Sequence, residues 1–354
     1  MMDPIYYFAN QVYQYSNIMP LYNRLGGTCI SKDVKRYLQL KMYLRNLKTG
    51  SDGYTFLNTP KSIFAKTEDL HKLQGVIISL SNTILNYDGN KCKSIFVGHG
   101  TGDKPYGGNS AEALLTYDYH FISGEKHLEK LRDSNIQISD EKLIKIGNLR
   151  FDAYVNGDFD REKEAKRLGI VDRSRKNILY APTWRWGNGT FKKYIHRFCR
   201  ELTPHYNLIV RPHHHDRRYI PHIKIWARRN GIRHVYFSNP AALAKSDTMA
   251  DFIVSDLMIS DTSSILYEYL IANKPIIVAV NDYKNLHNMP PEMDVMQHVP
   301  LFTGDENLVD LIEKTFDNED LKVCLADLLH ACFYFNDGKS VERALEFLKT
   351  TVRN

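Results

Sequence analysis

Residues 250–282 read ADFIVSDLMISDTSSILYEYLIANKPIIVAVND, and this stretch decides the fold. An apolar strand, Leu257 to Ile259, ends in Ser260 and Asp261. Thr262, Ser263 and Ser264 follow at once, and an apolar-periodic helix begins near Ile265. A second apolar run, Pro275 to Val280, reads as the next parallel strand. The hydroxyls therefore lie at a helix start, where free backbone N–H groups and the positive end of the helix dipole meet, and such a place suits a phosphate. Asp261 or Thr262 could also cap the helix, and capping is compatible with phosphate binding.

Outward from this unit, short apolar runs alternate with helical patterns. On the N-terminal side the strands are expected at Val76 to Leu80, Ser94 to Val97, His120 to Ile122 and Leu143 to Ile146. Nearer the central unit they fall at Ile178 to Ala181, Leu208 to Arg211 and His234 to Phe237. Helices are expected between them, and again at Leu308 to Phe316, Asp320 to Cys332 and Ser340 to Val352. Such alternation argues for α/β architecture with parallel sheets covered by helices. The first fifty residues look helical, with an aromatic amphipathic stretch from Ile5 to Tyr15, a short helix from Met19 to Leu25 and a basic helix from Asp33 to Leu47. Core packing is the expected fate of the aromatic stretch, with a membrane surface as the alternative. The charged segment 158–175 is the candidate boundary between two domains, residues 1–160 and 161–354, with the last helix free to pack back on the first.

The chain has 354 residues, which suits two domains. It is 43% hydrophobic and 25% charged, so it is globular rather than disordered. Net charge is +6, which favours anionic partners without choosing among nucleotides, phosphate polymers and an anionic membrane face. Five scattered cysteines with no C-x-x-C pattern suggest reduced thiols and a cytoplasmic protein. The first residues lack a basic start and a long apolar run, and no stretch is long enough to span a bilayer. Any membrane contact is therefore expected to be peripheral.

Four further stretches carry candidate chemistry. GHGTGDKPYGG, 98–108, follows a strand, where open α/β sheets place ligands. Its glycines allow close approach, His99 can take a proton near neutral pH, and Lys104 is a point charge for phosphate. The glycine spacing matches neither a dinucleotide fingerprint nor a P-loop. YAPTWRW, 180–186, offers Thr183 and Arg185 to a diphosphate, or a core Trp beside a surface Arg. LIVRPHHHDRR, 208–218, runs from a strand into Arg211 and His213. Three consecutive histidines in extended chain point to alternate sides and have no spaced Cys, Asp or Glu partners, so no metal is expected there. FNDGKSVERALEF, 335–347, reads as a turn and a helix start.

Taken in order, these motifs resemble the CDP-glycerol glycerophosphotransferase family, which builds teichoic acids and related glycerol- or ribitol-phosphate polymers. The resemblance rests on His99, Gly100, Thr101 and Lys104; on Gly147, Arg150 and Asp152; and on Ala181, Pro182, Thr183, Trp184 and Arg185. It continues through Arg211 and His213, then Ser260, Asp261, Ser263, Ser264, Glu268, Lys274 and Pro275, and closes on Asp337, Gly338 and Arg343. It covers about residues 90–350. Gly102-Asp103 departs from the pattern by placing a carboxylate beside the proposed donor phosphates, and residues 1–90 carry no matching motif.

The resemblance implies a GT-B fold: two Rossmann-like domains whose parallel sheets face a cleft, with the nucleotide donor held by the C-terminal one. It implies CDP-glycerol or a similar CDP-alditol as donor and no separate cofactor or metal. Thr262, Ser263 and Ser264 would hold the diphosphate beside Asp261, and Glu268 would bond ribose hydroxyls. Thr101, Lys104, Thr183, Arg185 and Arg211 would serve the donor phosphates and nucleotide. His213 would act with Arg185 as the bond to CMP breaks, and His99 would be general base for a glycan, lipid-linked or polymer acceptor. The product would be a teichoic-acid-like or capsule-like cell-surface polymer, made in the cytoplasm, with peripheral contact with the inner membrane face left open. Two rivals remain: a GT-B glycosyltransferase or epimerase using a UDP-sugar, and a non-catalytic polyanion binder. The absence of an RNA-binding motif argues against a nucleic-acid partner.

Overall fold

The structure, a computed structural model, describes residues 3–49, 61–100, 102–184, 188–238, 248–282 and 288–351. The chain divides into two compact units. One comprises Met1–Thr101, Pro105–Asp158 and Cys332–Asn354, and the other Gly102–Lys104 and Phe159–Ala331. Compared with a single cut after residue 160, the last helix returns to the first unit and a three-residue segment of the glycine-rich loop joins the second.

The first unit runs β1 (Ile5–Phe8), α1 (Met19–Leu25), β2 (Thr28–Ser31), α2 (Val34–Thr49), β3 (Lys61–Phe64), β4 (Gly75–Ser79), β5 (Cys92–Phe96), α3 (Asn109–Leu115), β6 (Tyr119–Ile122), α4 (Glu125–Asp133), β7 (Leu143–Lys145) and α5 (Leu149–Val155). Its strands pair in parallel in the order β3-β2-β1-β4-β5-β6-β7. The second unit runs α6 (Arg161–Leu168), β8 (Asn177–Tyr180), α7 (Phe191–Leu202), β9 (Asn207–Val210), α8 (Ile220–Arg229), β10 (Val235–Phe237), α9 (Thr248–Val254), β11 (Leu257–Ser260), α10 (Ile265–Tyr269), β12 (Ile276–Ala279), β13 (Leu301–Phe302), α11 (Leu308–Phe316) and α12 (Asp320–Cys332). Its parallel order is β10-β9-β8-β11-β12-β13. In each sheet the chain starts in the middle and later resumes on the other side. This leaves a crevice at the carboxyl ends of two central strands, β1 and β4 in one unit and β8 and β11 in the other.

Each unit has its own apolar core. In the second, α7 buries Phe191, Tyr194, Ile195, Phe198, Cys199 and Leu202, the spacing of one helix face, against β8 and β9. The strands beneath are buried on both faces, as helices on either side of a parallel sheet require. The same rule corrects the reading of the N-terminus. Ile5 to Phe8 is not helical but the central strand β1, with Tyr7 and Phe8 fully buried, and Val12–Asn17 is a 3-10 turn. The aromatic stretch does pack into the core, and Tyr15 is buried with it.

The last helix, α13 (Ser340–Thr351), is tied to the first unit by two of the motifs read in the sequence. The Asp152 carboxylate accepts the backbone N–H groups of Ser340 (3.0 Å) and Val341 (2.7 Å), which a helix start leaves without intrahelical partners. Gly147 has φ +89°, and a Cβ there would lie 2.7 Å from Ser340 Oγ. Arg343 holds Asp337 with both terminal guanidinium nitrogens, Nη1 and Nη2. The Gly147–Asp152 and Asp337–Arg343 motifs therefore form one structural joint.

Candidate active site

The loops that leave β8 and β11 are locked together by one carboxylate. Asp261 is fully buried and accepts the backbone N–H of Thr183 (2.7 Å), the backbone N–H of Thr190 (2.9 Å) and the Thr190 hydroxyl (2.9 Å). Ser260 Oγ donates to the Ala181 carbonyl at 2.6 Å. Burial pushes the Asp261 carboxyl up to about 6 in spite of the three donors and the Lys104 charge. Asp261 therefore shapes the crevice rather than facing a diphosphate. Thr183 is buried with its N–H already committed to that carboxylate.

Neither Asp261 nor Thr262 caps α10. The residue before the helix is Ser264, which makes no side-chain cap bond, and the Thr262 hydroxyl accepts from Asn281 Nδ2 at 3.1 Å. The helix starts at Ile265 and has five residues followed by a 3-10 turn over Leu270–Ala272, so its dipole is small. Any anion here would rely on the partly exposed hydroxyls of Thr262, Ser263 and Ser264 and on nearby cations. Glu268 is buried one turn on.

Gly102 packs against this helix start: a Cβ there would lie 3.1 Å from Ser264 Cβ and 3.2 Å from its backbone N. The segment Gly102–Lys104 thus brings Lys104 to the hydroxyl loop. Burial lowers the Lys104 pKa, and the Asp261 charge opposes that fall. The same lysine is among the charges felt by His213.

His213 stacks on Trp184, with centroids 5.5 Å apart and planes 8° from parallel. Burial first, then His214, His215 and Lys104, push its pKa down to about 3. It is therefore neutral at pH 7 and offers hydrogen bonds rather than positive charge. The backbone N–H of His215 donates to His213 Nδ1 at 3.3 Å, which leaves the proton on Nε2 as a donor. The three histidines do not alternate sides. His214 to Asp216 form a turn, and ligand atoms of all three lie within 4.8 Å of one another, close enough for a metal ion to gather them.

Arg211 is the clearest departure from the sequence reading. It is buried, with Nη1 2.5 Å from Asp251 Oδ2 and 2.9 Å from Ser238 Oγ. Asp251 is wholly buried and also lies 3.5 Å from Arg167. Arg211 thus neutralises a buried acid and braces the end of β9, instead of presenting a free fork to phosphate. Lys274 is likewise structural: it donates to the carbonyls of Phe252, Ile253 and Ser255 at the end of α9. Asp251, Thr190 and Asn281 were not singled out from sequence. A carboxylate in the apolar run of α9 was the available signal for Asp251, since a buried acid needs a partner.

In the first unit His99 follows β5, and its Nδ1 lies 2.7 Å from the Leu80 carbonyl at the end of β4. A carbonyl only accepts, so Nδ1 carries the proton and Nε2 is left as a base. The residue keeps an exposed edge, but burial of the ring lowers its pKa and nearby Lys130 adds to the fall. His99 and His213 are therefore set as opposite tautomers, one a base and the other a donor. Thr101 and Arg185 lie outside the described residues.

Two Rossmann-like units, the second with its polar loops gathered at the reversal of strand order, define the GT-B class of transferases and epimerases. The family model for CDP-glycerol:poly(glycerophosphate) glycerophosphotransferase matches residues 95–350, and the chain belongs to that family. It is 26% identical over 251 residues to a teichoic acid glycerol-phosphate primase of Bacillus subtilis, across 67% of this chain and 58% of the relative. It is also 26% identical over 245 residues to the teichoic acid ribitol-phosphate polymerase TarK of Staphylococcus aureus, across 66% of this chain and 45% of the relative. The chain thus spans about half the length of these curated relatives. Among solved structures it resembles the wall teichoic acid polymerase TagF with a TM-score of 0.69 and 17% identity, over 99% of this chain and 89% of the other. That likeness is one of fold.

Proposed function

We propose that this protein transfers glycerol phosphate, or a related alditol phosphate, from a CDP-alditol to an acceptor hydroxyl in the synthesis of a teichoic-acid-like cell-surface polymer. The observation that carries the reading is the gathering of Lys104, Trp184, His213 and the 261–264 loop at one crevice, in a chain of this family. The donor diphosphate would lie on the hydroxyls of Thr262, Ser263 and Ser264. Lys104 would supply positive charge, the His213 Nε2–H a hydrogen bond, and Glu268 a partner for ribose hydroxyls.

His99 Nε2 would take the acceptor hydroxyl proton. The acceptor oxygen would form a bond to the alditol-bearing β-phosphorus, the bond from that phosphorus to the bridging oxygen would break, and CMP would leave. Positioning and charge stabilisation would supply most of the rate, as in other phosphoryl transfers. Thr101 and Arg185 keep the donor-side roles that the family resemblance implies for them. Five free cysteines fit a reducing compartment, which supports a cytoplasmic reaction. A glycan, lipid-linked or polymer acceptor fits the family equally well.

With Lys104, the His213 Nε2–H and the hydroxyls of Thr262, Ser263 and Ser264 to meet the diphosphate, the reaction is proposed to need no metal. The test is CMP release from CDP-glycerol and CDP-ribitol, with and without EDTA. Release from either donor in EDTA supports the reading. Loss in EDTA with rescue by a divalent ion would remove the metal-free step and direct attention to the three histidines. Turnover of a UDP-sugar instead would replace the assignment with a sugar-nucleotide enzyme.

A further inference from the structure

Three histidines stand together just after β9, and the transfer reading uses only His213. Their rings lie against one another. Centroids are 4.4 Å apart for His213 and His214, 3.8 Å for His214 and His215, and 5.3 Å for His213 and His215. One ligand nitrogen of each lies within 4.8 Å of the other two. Adjacent residues of an extended chain would point apart; the turn from His214 to Asp216 brings them to one side. In a tetrahedral zinc site, with Zn–N of about 2.0–2.1 Å, ligand nitrogens are about 3.3 Å apart, so modest ring rotations close the triad.

The surroundings select the ion. Burial pushes the pKa of His213 down to about 3 and that of His214 down to about 4, so both are neutral at pH 7, the form that ligates a metal. His215 is exposed and gives an ion a way in. Lys104 lies near His213, Arg217 near His214, and Lys192 and Arg218 near Asp216. A hard cation held by charge alone, such as magnesium or calcium, is disfavoured among these positive groups and finds no set of oxygens in the triad. An ion that gains bonds from imidazole nitrogen is not so limited. The one acid of the turn, Asp216, is buried, makes no cap bond to the 3-10 turn it precedes, and lies within electrostatic reach of His215. A carboxylate beside a ligating imidazole fixes its orientation and raises its basicity.

We propose that His213, His214 and His215 form a binding site for a zinc-type transition-metal ion, and that the bound ion closes the donor site. The conflict is geometric. His213 is stacked on Trp184 with planes 8° apart, and the His215 ring lies 4.1 Å from the same indole. Turning the rings toward a shared ion takes His213 off this stack. An ion on His213 Nε2 displaces the proton that the donor diphosphate would accept in a hydrogen bond. An ion on Nδ1 replaces the 3.3 Å bond from the His215 backbone that sets this tautomer. The ion is thus an inhibitor and not a cofactor. Zinc binding stands independently of the transfer reading, and the inhibition rests on it.

The test is a titration of the full chain with Zn2+ in competition with a chromogenic chelator, repeated with Mg2+, with the melting temperature of every variant measured alongside. Wild type is expected to take up one Zn2+ and no Mg2+. His214→Ala/His215→Ala, which removes two ligands, is expected to weaken uptake more than about a hundredfold, and His215→Ala alone, at an exposed side chain, about tenfold. Cys324→Ser removes a partly exposed thiol 3.4 Å from His298 Nδ1, the rival zinc ligands, and is expected to bind as wild type does.

CMP release from CDP-glycerol is then measured with Zn2+ at about ten times its dissociation constant. Wild type is expected to slow about tenfold by mass action and to recover in EDTA, and the histidine pair variant to keep its rate in both. Zinc uptake by a chain that releases no CMP from any donor would keep the metal site and sink the transferase reading. The inference is overturned if wild type takes up no Zn2+, if the pair variant melts and binds zinc as wild type does, if Cys324→Ser abolishes uptake, or if bound Zn2+ leaves CMP release unchanged or raises it.

Discussion

The two units share a topology and use it differently. In the first, the residues at the strand ends where the order reverses are laced together by hydrogen bonds. The Ser81 hydroxyl donates to Gln14 Oε1 at 2.6 Å and accepts from the Asn10 backbone at 2.9 Å, Asn10 Nδ2 donates to Thr83, and the Tyr117 hydroxyl lies within 3.0 Å of Ser79 Oγ and the carbonyls of Ser81 and Thr83. In the second, the matching crevice is bordered by Asp261, the hydroxyls after it, Lys104 and a stacked His213–Trp184 pair. One set of strand ends is tied together by hydrogen bonds among neutral groups, and the other also gathers a buried carboxylate, a lysine and a stacked ring pair. A fold offers the place, and the loops decide whether a ligand can use it.

The largest way to break this contrast is at His99, the one candidate reacting group in the first unit. His99→Gln is expected to lower CMP release by about 10²–10⁴-fold, the range of a lost general base, while leaving donor stabilisation intact. If donor binding fell instead, His99 would belong to the nucleotide site. Next, Asp251→Ala should destabilise the second unit by about 3–5 kcal/mol in urea unfolding, because it strands Arg211 in a buried site. An effect below about 1 kcal/mol would show that Arg211 is held by something else and return it to the phosphate-binding candidates.

Acid sharpens the comparison further. His120 and His127 are buried in the first unit, with pKa values pushed down by burial to about 4 and about 3. Both ring nitrogens of His127 lack a hydrogen-bond partner among the described residues. The unfolded chain takes up these protons below about pH 6.5 and the folded chain does not. Their stabilising contribution is therefore present above pH 6.5 and is lost as pH falls toward 4 and then 3, at up to about 1.4 kcal/mol per pH unit for each.

Asp261 in the second unit has the opposite sign. Its raised pKa favours the folded state below the ordinary carboxyl value, and that contribution is lost as pH rises through about 6. Urea midpoints at pH 7 and pH 5 should fall with acid, and His127→Leu should reduce the fall. An unchanged slope would mean that the ring is protonated in the folded state. The smallest effect is expected at the joint of the last helix, where Asp152→Ala should cost about 1–2 kcal/mol, in line with the loss of an N-cap.

Most helices were legible because their apolar faces recur at helical spacing; Leu308–Phe316 and Asp320–Cys332 fall where the pattern puts them. The central strand Ile5–Phe8 was not, because a strand buried on both faces shows no alternation and no Gly or Pro marks its end. At the site, the positions of His99, Lys104, His213 and the hydroxyl loop follow from strand ends. What Arg211 and Asp261 do there was hidden. A charged residue at a strand end looks the same whether it faces a ligand or a buried partner, and here the partners lie forty and seventy-one or more residues away. The histidine run was misread because alternation holds for extended chain, and this chain turns.

The most direct measurement is the melting temperature of wild type, His99→Ala and Ser263→Ala with CDP-glycerol, CDP-ribitol, CMP and UDP-GlcNAc in parallel, since a ligand that prefers the folded state raises it. The cytidine ligands are expected to stabilise wild type and His99→Ala, and Ser263→Ala is expected to lose the shift. Stabilisation by UDP-GlcNAc alone, or no shift with any nucleotide, would contradict a CDP-alditol site at the carboxyl ends of β8 and β11.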